Sequence, residues 1–241
     1  MRYAVLSDVH SNIDALDAAF AQIREDDAVL CLGDIVGYGP NPNECVERIR
    51  ARATATVLGN HDVAAIDDFG VAYFNPAARE AMKWTQGVLT EENRAWLDSL
   101  GYEFRMPEFL LVHGAPANYF EYVLDKPAAG RAFKATDAPL IFVGHTHIAE
   151  VYALQPDGEI KHTHLQQGGE VALEEGVRYL INVGSIGQPR DLNPRASFAF
   201  YDPGARTVTI VRVEYPIARV QEKIASVHLP EALARRLVVG R

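Results

Sequence analysis

The sequence predicts an α/β protein, and three observations carry that expectation. Short apolar runs alternate with stretches of helical period as far as Glu150. The polar residues that close the first runs recur at one spacing. Beyond Glu150 the chain turns to short strands joined by hairpin signals.

Taken in order, Tyr3–Leu6 reads as a strand. Asn12 offers a helix cap, after which Ile13, Leu16, Phe20 and Ile23 recur at helical spacing. Ala28–Leu32 is a second buried run. Asn41-Pro42 looks like a cap and first helical residue, with Cys45, Val46 and Ile49 on the inner face. Ala53–Leu58 predicts a third strand. Asp8 and Asp34 stand 26 residues apart, as do Asp34 and Asn60, close to one strand–helix–strand unit per step. Right-handed crossovers would return these strands in one direction, so that Asp8, Asp34 and Asn60 leave from the carboxyl edge, where open α/β sheets bind ligands.

Phe69–Leu100 predicts a helical insertion, with starts at Asn75-Pro76 and Thr90 and with Ala77, Ala81, Trp84 and Val88 in period. Phe109–Val112 and Leu140–Val143 read as strands ending in histidine. Val151–Leu154, Glu159–Leu165, Val177–Ile181, Ser197–Tyr201 and Thr207–Val213 follow, with hairpin turns at Pro156-Asp157-Gly158 and Asp202-Pro203-Gly204. Pro216 closes the last strand before a helical tail over about residues 217–238. With no repeat, low-complexity tract or linker, one domain over residues 1–241 is expected.

Of the 241 residues 48% are apolar, yet no stretch reaches membrane-spanning length. The chain enters a strand at once, without a signal-peptide pattern, so a cytoplasmic protein is expected. The net charge of -9 comes without a basic stripe, which disfavours non-specific nucleic-acid binding. Cys31 and Cys45 form neither a disulfide framework nor a thiolate zinc set and are expected to be buried small hydrophobes.

The chemistry gathers in five blocks at strand ends: Asp8-Val9-His10, Gly33-Asp34, Gly59-Asn60-His61-Asp62, His113-Gly114 and Gly144-His145-Thr146-His147. Each alone is ordinary turn or strand-end chemistry. As an ordered set of carboxylates, an amide and imidazoles they suit hard-to-borderline divalent metals, and a two-metal hydrolytic site is expected. A second His-Thr-His, at 162–164, lies mid-strand without a glycine turn and is expected to be structural or solvated, as is His228.

This ordered set resembles the calcineurin-like metallophosphoesterase superfamily over roughly residues 1–150. The resemblance implies a four-layer αββα sandwich of two mixed sheets flanked by helices. It implies one divalent ion held by Asp8, His10, Asp34 and His147 and a second held by Asp34, Asn60, His113 and His145, with Asp34 bridging. Mn²⁺ is the favoured metal, with Fe and Zn²⁺ also suited. His61 would be the proton donor, supported by Asp62, and Asn60 would also contact substrate. A two-metal site can clamp attacking and leaving oxygens with ions about 3.5–4 Å apart, and a metal lowers the pKa of bound water from 15.7 to about 7.

The protein phosphatase branch and its diadenosine tetraphosphatase relatives carry an Arg shortly after the second carboxylate. Here Ile35-Val36-Gly37-Tyr38-Gly39-Pro40 has none, which points to the compact prokaryotic phosphodiesterase-like branch. The expectation is therefore a phosphodiesterase acting on a small or nucleotide phosphoester through attack by metal-bound hydroxide. The alternatives are a phosphomonoesterase or protein phosphatase, a diadenosine polyphosphate hydrolase, and a non-catalytic scaffold. The glycine-rich exit Asn182–Asp191 offers Arg190 to a substrate phosphate or, equally, to a surface pair with Asp191 or a turn-stabilising contact. Tyr38, Tyr119, Phe120 and Tyr122 are expected in core packing or partner contacts, with lining of the rim and stacking on a base as the alternative.

Overall fold

The computed structural model describes residues 1–241 and builds two six-stranded sheets. The first is formed by β1 (Tyr3–Leu6), β2 (Ala28–Cys31), β3 (Ala55–Thr56), β9 (Gly169–Ala172), β11 (Ala196–Asp202) and β12 (Thr207–Val213), in the order β3-β2-β1-β11-β12-β9. The second contains β4 (Glu103–Arg105), β5 (Leu110–Val112), β6 (Leu140–Val143), β7 (Ala149–Leu154), β8 (Ile160–His164) and β10 (Arg178–Val183), in the order β4-β5-β6-β10-β7-β8. Each sheet holds one parallel trio, β1–β3 in the first and β5, β6 and β10 in the second. The remaining pairings are antiparallel, including the β7–β8 and β11–β12 hairpins expected from their turns.

Alternation along the buried strands explains the layering, because successive side chains face opposite sides of a sheet. Val5, Leu30 and Leu32 from the first sheet meet Phe109, Leu111, Phe142 and Ile181 from the second in a core between the sheets. Ala4, Leu6, Val29 and Cys31 face outward, where α1 (Ile13–Phe20), α2 (Pro42–Arg52), α7 (Ile217–Ser226) and α8 (Glu231–Val239) cover them. On the far side Leu110, Val112, Ile141 and Val143 pack against α6 (Lys126–Ala135). The result is the four-layer αββα arrangement. Cys31 and Cys45 are free and buried in the outer core of the first sheet. No helix is long and apolar enough to cross a membrane.

Local signals produce the helix starts. Asn12, Asn75 and Thr90 each accept a backbone N–H three residues on, capping α1, α4 (Pro76–Val88) and α5 (Glu91–Asp98). Asn41 does not cap α2; its side-chain amide donates instead to Glu44 Oε1 at 2.9 Å. The third strand is shorter than its apolar run because the chain turns away after Val57: Val57 N–H still donates to Cys31 O, but Leu58 N–H donates to Gly101 O. Helix α6 has a start signal the pattern reading passed over, Asp125 accepting from Ala128 N at 2.8 Å with Pro127 in the first turn. Strands β4 and β9 also went unforeseen, each lying at a sheet edge and largely exposed.

This topology sets one address. Asp8, Asp34 and Asn60 follow β1, β2 and β3, while His113, His145 and His147 follow β5 and β6. The two parallel trios thus deliver their polar ends to a common edge.

Candidate metal centre

Two donor groups meet at that edge. Asp8, His10, Asp34 and His147 form one, and Asp34, His113 and His145 the other, all of them buried. Asp34 belongs to both: its Oδ2 lies 3.6 Å from His10 Nε2 and 3.3 Å from His113 Nε2. Asp8 Oδ1 lies 3.1 Å from His147 Nε2. Asn60 stands at the start of α3 (Asn60–Asp67) with its Oδ1 buried and unpartnered.

The backbone around these donors is bent to aim them. Asp8, His10, Asp34, His145 and His147 all take positive φ, a region that costs a non-glycine residue roughly 1–2 kcal/mol. Such strain persists only where surrounding contacts over-determine it, and it collects at functional sites. Two glycines allow the close approach. A Cβ on Gly59 would sit inside the Asp34 carboxylate, and one on Gly144 would collide with Ser7 Oγ and Asp8 Oδ2.

The hydrogen bonds behind each ring settle where its lone pair points. Nδ1 of His10, His113 and His147 donates to the carbonyls of Val36, Leu32 and Gln188 at 3.1, 2.8 and 2.6 Å, and His145 Nε2 donates to Phe120 O at 3.0 Å. A carbonyl only accepts, so the other nitrogen of each neutral ring carries a lone pair aimed inward. These inward nitrogens stand close in pairs, His10 with His147 at 3.0 Å and His113 with His145 at 3.1 Å. Paired lone pairs, the orphaned Asp8 Oδ1 and the orphaned Asn60 Oδ1 all call for cations between them, so the donor set fits divalent metal ions.

The electrostatics agree. Burial opposes ionisation of Asp8 and Asp34, yet His147 beside the first and His113 beside the second hold both well below the usual carboxylate range. Burial likewise opposes protonation of His113, but Asp34 and Asp8 pull it up to about 9, so a metal ion bound there would take the place of a proton on Nε2. Burial holds His145 down to about 3 and lowers His147. The pocket concentrates negative charge that wants a counter-cation at its centre.

His61 lies at the wall of this centre, its ring between Tyr38 and Phe74 at centroid distances of 4.5 and 4.4 Å. Its Nδ1 is buried without a partner, and burial holds its pKa down to about 4 despite the nearby Asp34. Asp62, expected beside that ring, is elsewhere. Its carboxylate accepts the backbone N–H groups of Ile35, Val36 and Gly59 at 2.9, 3.1 and 3.1 Å. An acidic residue in the first turn of α3 caps that helix and ties it to the loop after β2, leaving no acceptor for the imidazole.

Arg190 is not paired with Asp191, whose carboxylate takes Arg212 instead. Its Nη2 reaches Gln188 Oε1 at 3.1 Å and the Tyr38 hydroxyl at 3.3 Å, while its Nε is buried without a partner. A cavity of about 320 Å³ over the centre is lined by Tyr38, Asn60, His61, Phe74, Tyr122, Arg190 and Arg236. An adjoining cavity of about 320 Å³ shares Asn60, Tyr73, Phe74 and Tyr122 and adds Phe69 and Phe120. Tyr38, Phe120 and Tyr122 thus line the entrance, the alternative to the packing roles favoured from sequence; only Tyr119 turns away, stacked on Tyr102. A larger cavity of about 500 Å³ lies against Gln167, Arg195 and Tyr215, where no donors converge.

Pattern reading missed Arg236, Tyr73 and Phe74. Arg236 comes from α8, whose only visible signal was an apolar stripe, and it reaches Tyr38 because the tail folds back over the first sheet.

The sequence profile of the calcineurin-like phosphoesterase superfamily domain matches residues 1–205. An uncharacterized protein of Methanocaldococcus jannaschii, MJ0912, is 40% identical over 99% of this chain and 98% of its own length. The crystal structure of a metallophosphoesterase from Sphaerobacter thermophilus superposes with a TM-score of 0.90 at 41% identity, covering 100% of this chain and 99% of the other. That of the hypothetical protein PH1004 from Pyrococcus horikoshii shares the fold, with a TM-score of 0.77 at 21% identity over 100% and 98% of the two chains. The matched profile spans most of the chain and takes in every donor described above: this protein belongs to the calcineurin-like phosphoesterase superfamily.

Proposed function

We propose that the chain is a dinuclear metal-dependent phosphodiesterase acting on small phosphoesters with an aromatic or nucleobase arm. The carrying observation is Asp34, one buried carboxylate shared by two converging donor sets. Asp8, His10, Asp34 and His147 would hold one ion, and Asp34, Asn60, His113 and His145 the other, with Mn²⁺ favoured by this nitrogen and oxygen set. When bound, the ions supply Lewis acidity for the phosphoryl oxygens and acidify water.

The chain's own residues do the rest. His61, held in its aromatic sleeve, carries the proton that the leaving oxygen needs as its bond to phosphorus breaks. An anionic phosphoester entering beside His61 stabilises the imidazolium that burial otherwise disfavours. Arg190 and Arg236, each within 5.8 Å of the Tyr38 ring and without an Asp or Glu partner, bind the non-reacting phosphate oxygens. Tyr73, Phe74, Phe120 and Tyr122 offer flat apolar faces to the ester's organic arm.

The test compares bis-p-nitrophenyl phosphate with p-nitrophenyl phosphate on the Mn²⁺-loaded protein. Faster turnover of the diester is expected. Preference for the monoester moves the reading to phosphomonoesterases, and hydrolysis of neither, nor of dinucleotide diesters, leaves a scaffold.

A further inference from the structure

The second His-Thr-His lies outside this centre, and both of its imidazoles face one buried carboxylate. Strand β8 is an edge strand paired only with β7, and in their register Glu150 faces His164 while Tyr152 faces His162. Residues two apart share a face of a strand, so both imidazoles lie on the Glu150 side. His162 Nε2 is 2.8 Å and His164 Nδ1 3.3 Å from Glu150 Oε2. All three donor atoms fall within 4.8 Å of one another. Donors of a tetrahedral zinc site with bonds of about 2.0–2.1 Å stand roughly 3.3 Å apart.

A second observation points the same way. Glu150 is 2% exposed, has no Lys or Arg within ion-pair distance, and its Oε1 has no hydrogen-bond partner. Burial pushes its carboxyl up to about 7. His162 Nε2 bonds Oε2, which leaves Oε1 unpartnered beneath two imidazoles, a donor set that a cation would complete. The Tyr152 ring stacks on His162 at 4.2 Å and 7°, fixing its orientation.

We propose that Glu150, His162 and His164 bind one divalent transition-metal ion, zinc by preference, at a site sharing no donor with the Asp34 centre. Two imidazoles with one carboxylate select a borderline metal over Ca²⁺ or Mg²⁺, and three protein ligands leave a fourth position open toward the exposed His164 side. The ion would tie β8 to β7 three residues beyond His147.

The test counts zinc. The wild type and a His162→Gln/His164→Gln variant, stripped with EDTA and brought to equilibrium by dialysis against Zn²⁺, are compared by metal analysis. The variant is expected to hold one equivalent fewer, whatever number the Asp34 centre takes, so failure of the dinuclear reading leaves this difference readable. Equal counts in the two proteins overturn the proposal. In the wild type alone, the imidazole ¹⁵N resonances of His162 and His164 are expected to shift on zinc addition. Resonances that stay in place overturn it without recourse to a folded variant.

Discussion

The tripeptide His-Thr-His occurs twice in this chain, and the two copies do different things with the same atoms. In the first, His145 and His147 both have positive φ and flank Thr146, whose Oγ1 accepts from Asn182 Nδ2 at 2.9 Å. The backbone doubles back on either side of Thr146, so one imidazole joins His113 and Asp34 while the other joins His10 and Asp8. In the second copy the backbone is regular extended strand, and simple alternation puts both rings on a single carboxylate, Glu150. Backbone conformation, not composition, decides whether a pair of histidines serves two donor sets or one. The first arrangement also costs strain that the second avoids.

The comparison breaks most sharply at Asp34, the residue that joins the first copy's two donor sets. Asp34→Asn keeps an Oδ1 to accept His61 N–H but removes the shared charge. Loss of bound metal is expected together with a fall in kcat of at least about 10²–10³-fold, the cost of one lost transition-state donor. Metal analysis alongside diester turnover checks both, and a metal-replete, fully active variant contradicts the shared-donor reading. His61→Ala is expected to separate the two properties, retaining its metal while kcat falls about 10²–10⁴-fold.

Much of this centre was legible because strand ends are local in sequence. Leu140–Val143 and Thr207–Val213 form strands over the residues their patterns marked, and the equal spacing of Asp8, Asp34 and Asn60 reflects real parallel crossovers. What failed was everything set by approach from outside the motif. Asp62 reads as a partner for His61, yet its distance from the ring follows from α3's first turn, where three backbone amides claim the carboxylate. Arg236 is silent in sequence because only the docking of α8 carries it to Tyr38. The cluster at Glu150 is invisible for a related reason, since the cross-strand register that pairs Glu150 with His164 depends on the hairpin's fold.

The arginines sharpen a second contrast, between a guanidinium supplied within the matched domain and one supplied by the tail beyond it. Each hydrogen bond to a charged group contributes about 1.5–3 kcal/mol, so Arg190→Ala and Arg236→Ala should each raise KM for an anionic diester about tenfold or more. Steady-state kinetics at saturating metal checks this. A kcat loss at constant KM would place either residue in the chemical step instead. Gly144→Ala tests the turn that makes the first His-Thr-His unusual. The added methyl meets Ser7 Oγ and Asp8 Oδ2, and overpacking of this kind costs about 1–3 kcal/mol, to be read from urea unfolding.

The smallest effect falls on the second copy. With 66% of its side chain exposed on an edge strand at ordinary backbone angles, His164 contributes little to the metal-free fold. His164→Gln in EDTA should therefore lie within about 0.5 kcal/mol of wild type by urea unfolding, the usual range for surface substitutions. A larger loss would mean that the imidazole already stabilises Glu150 without an ion, making the pair a hydrogen-bonded brace. The contrast with Gly144→Ala is the informative quantity: a strained turn should register any added atom, whereas an edge strand held by its ladder should register the histidine only when a cation draws it onto the carboxylate.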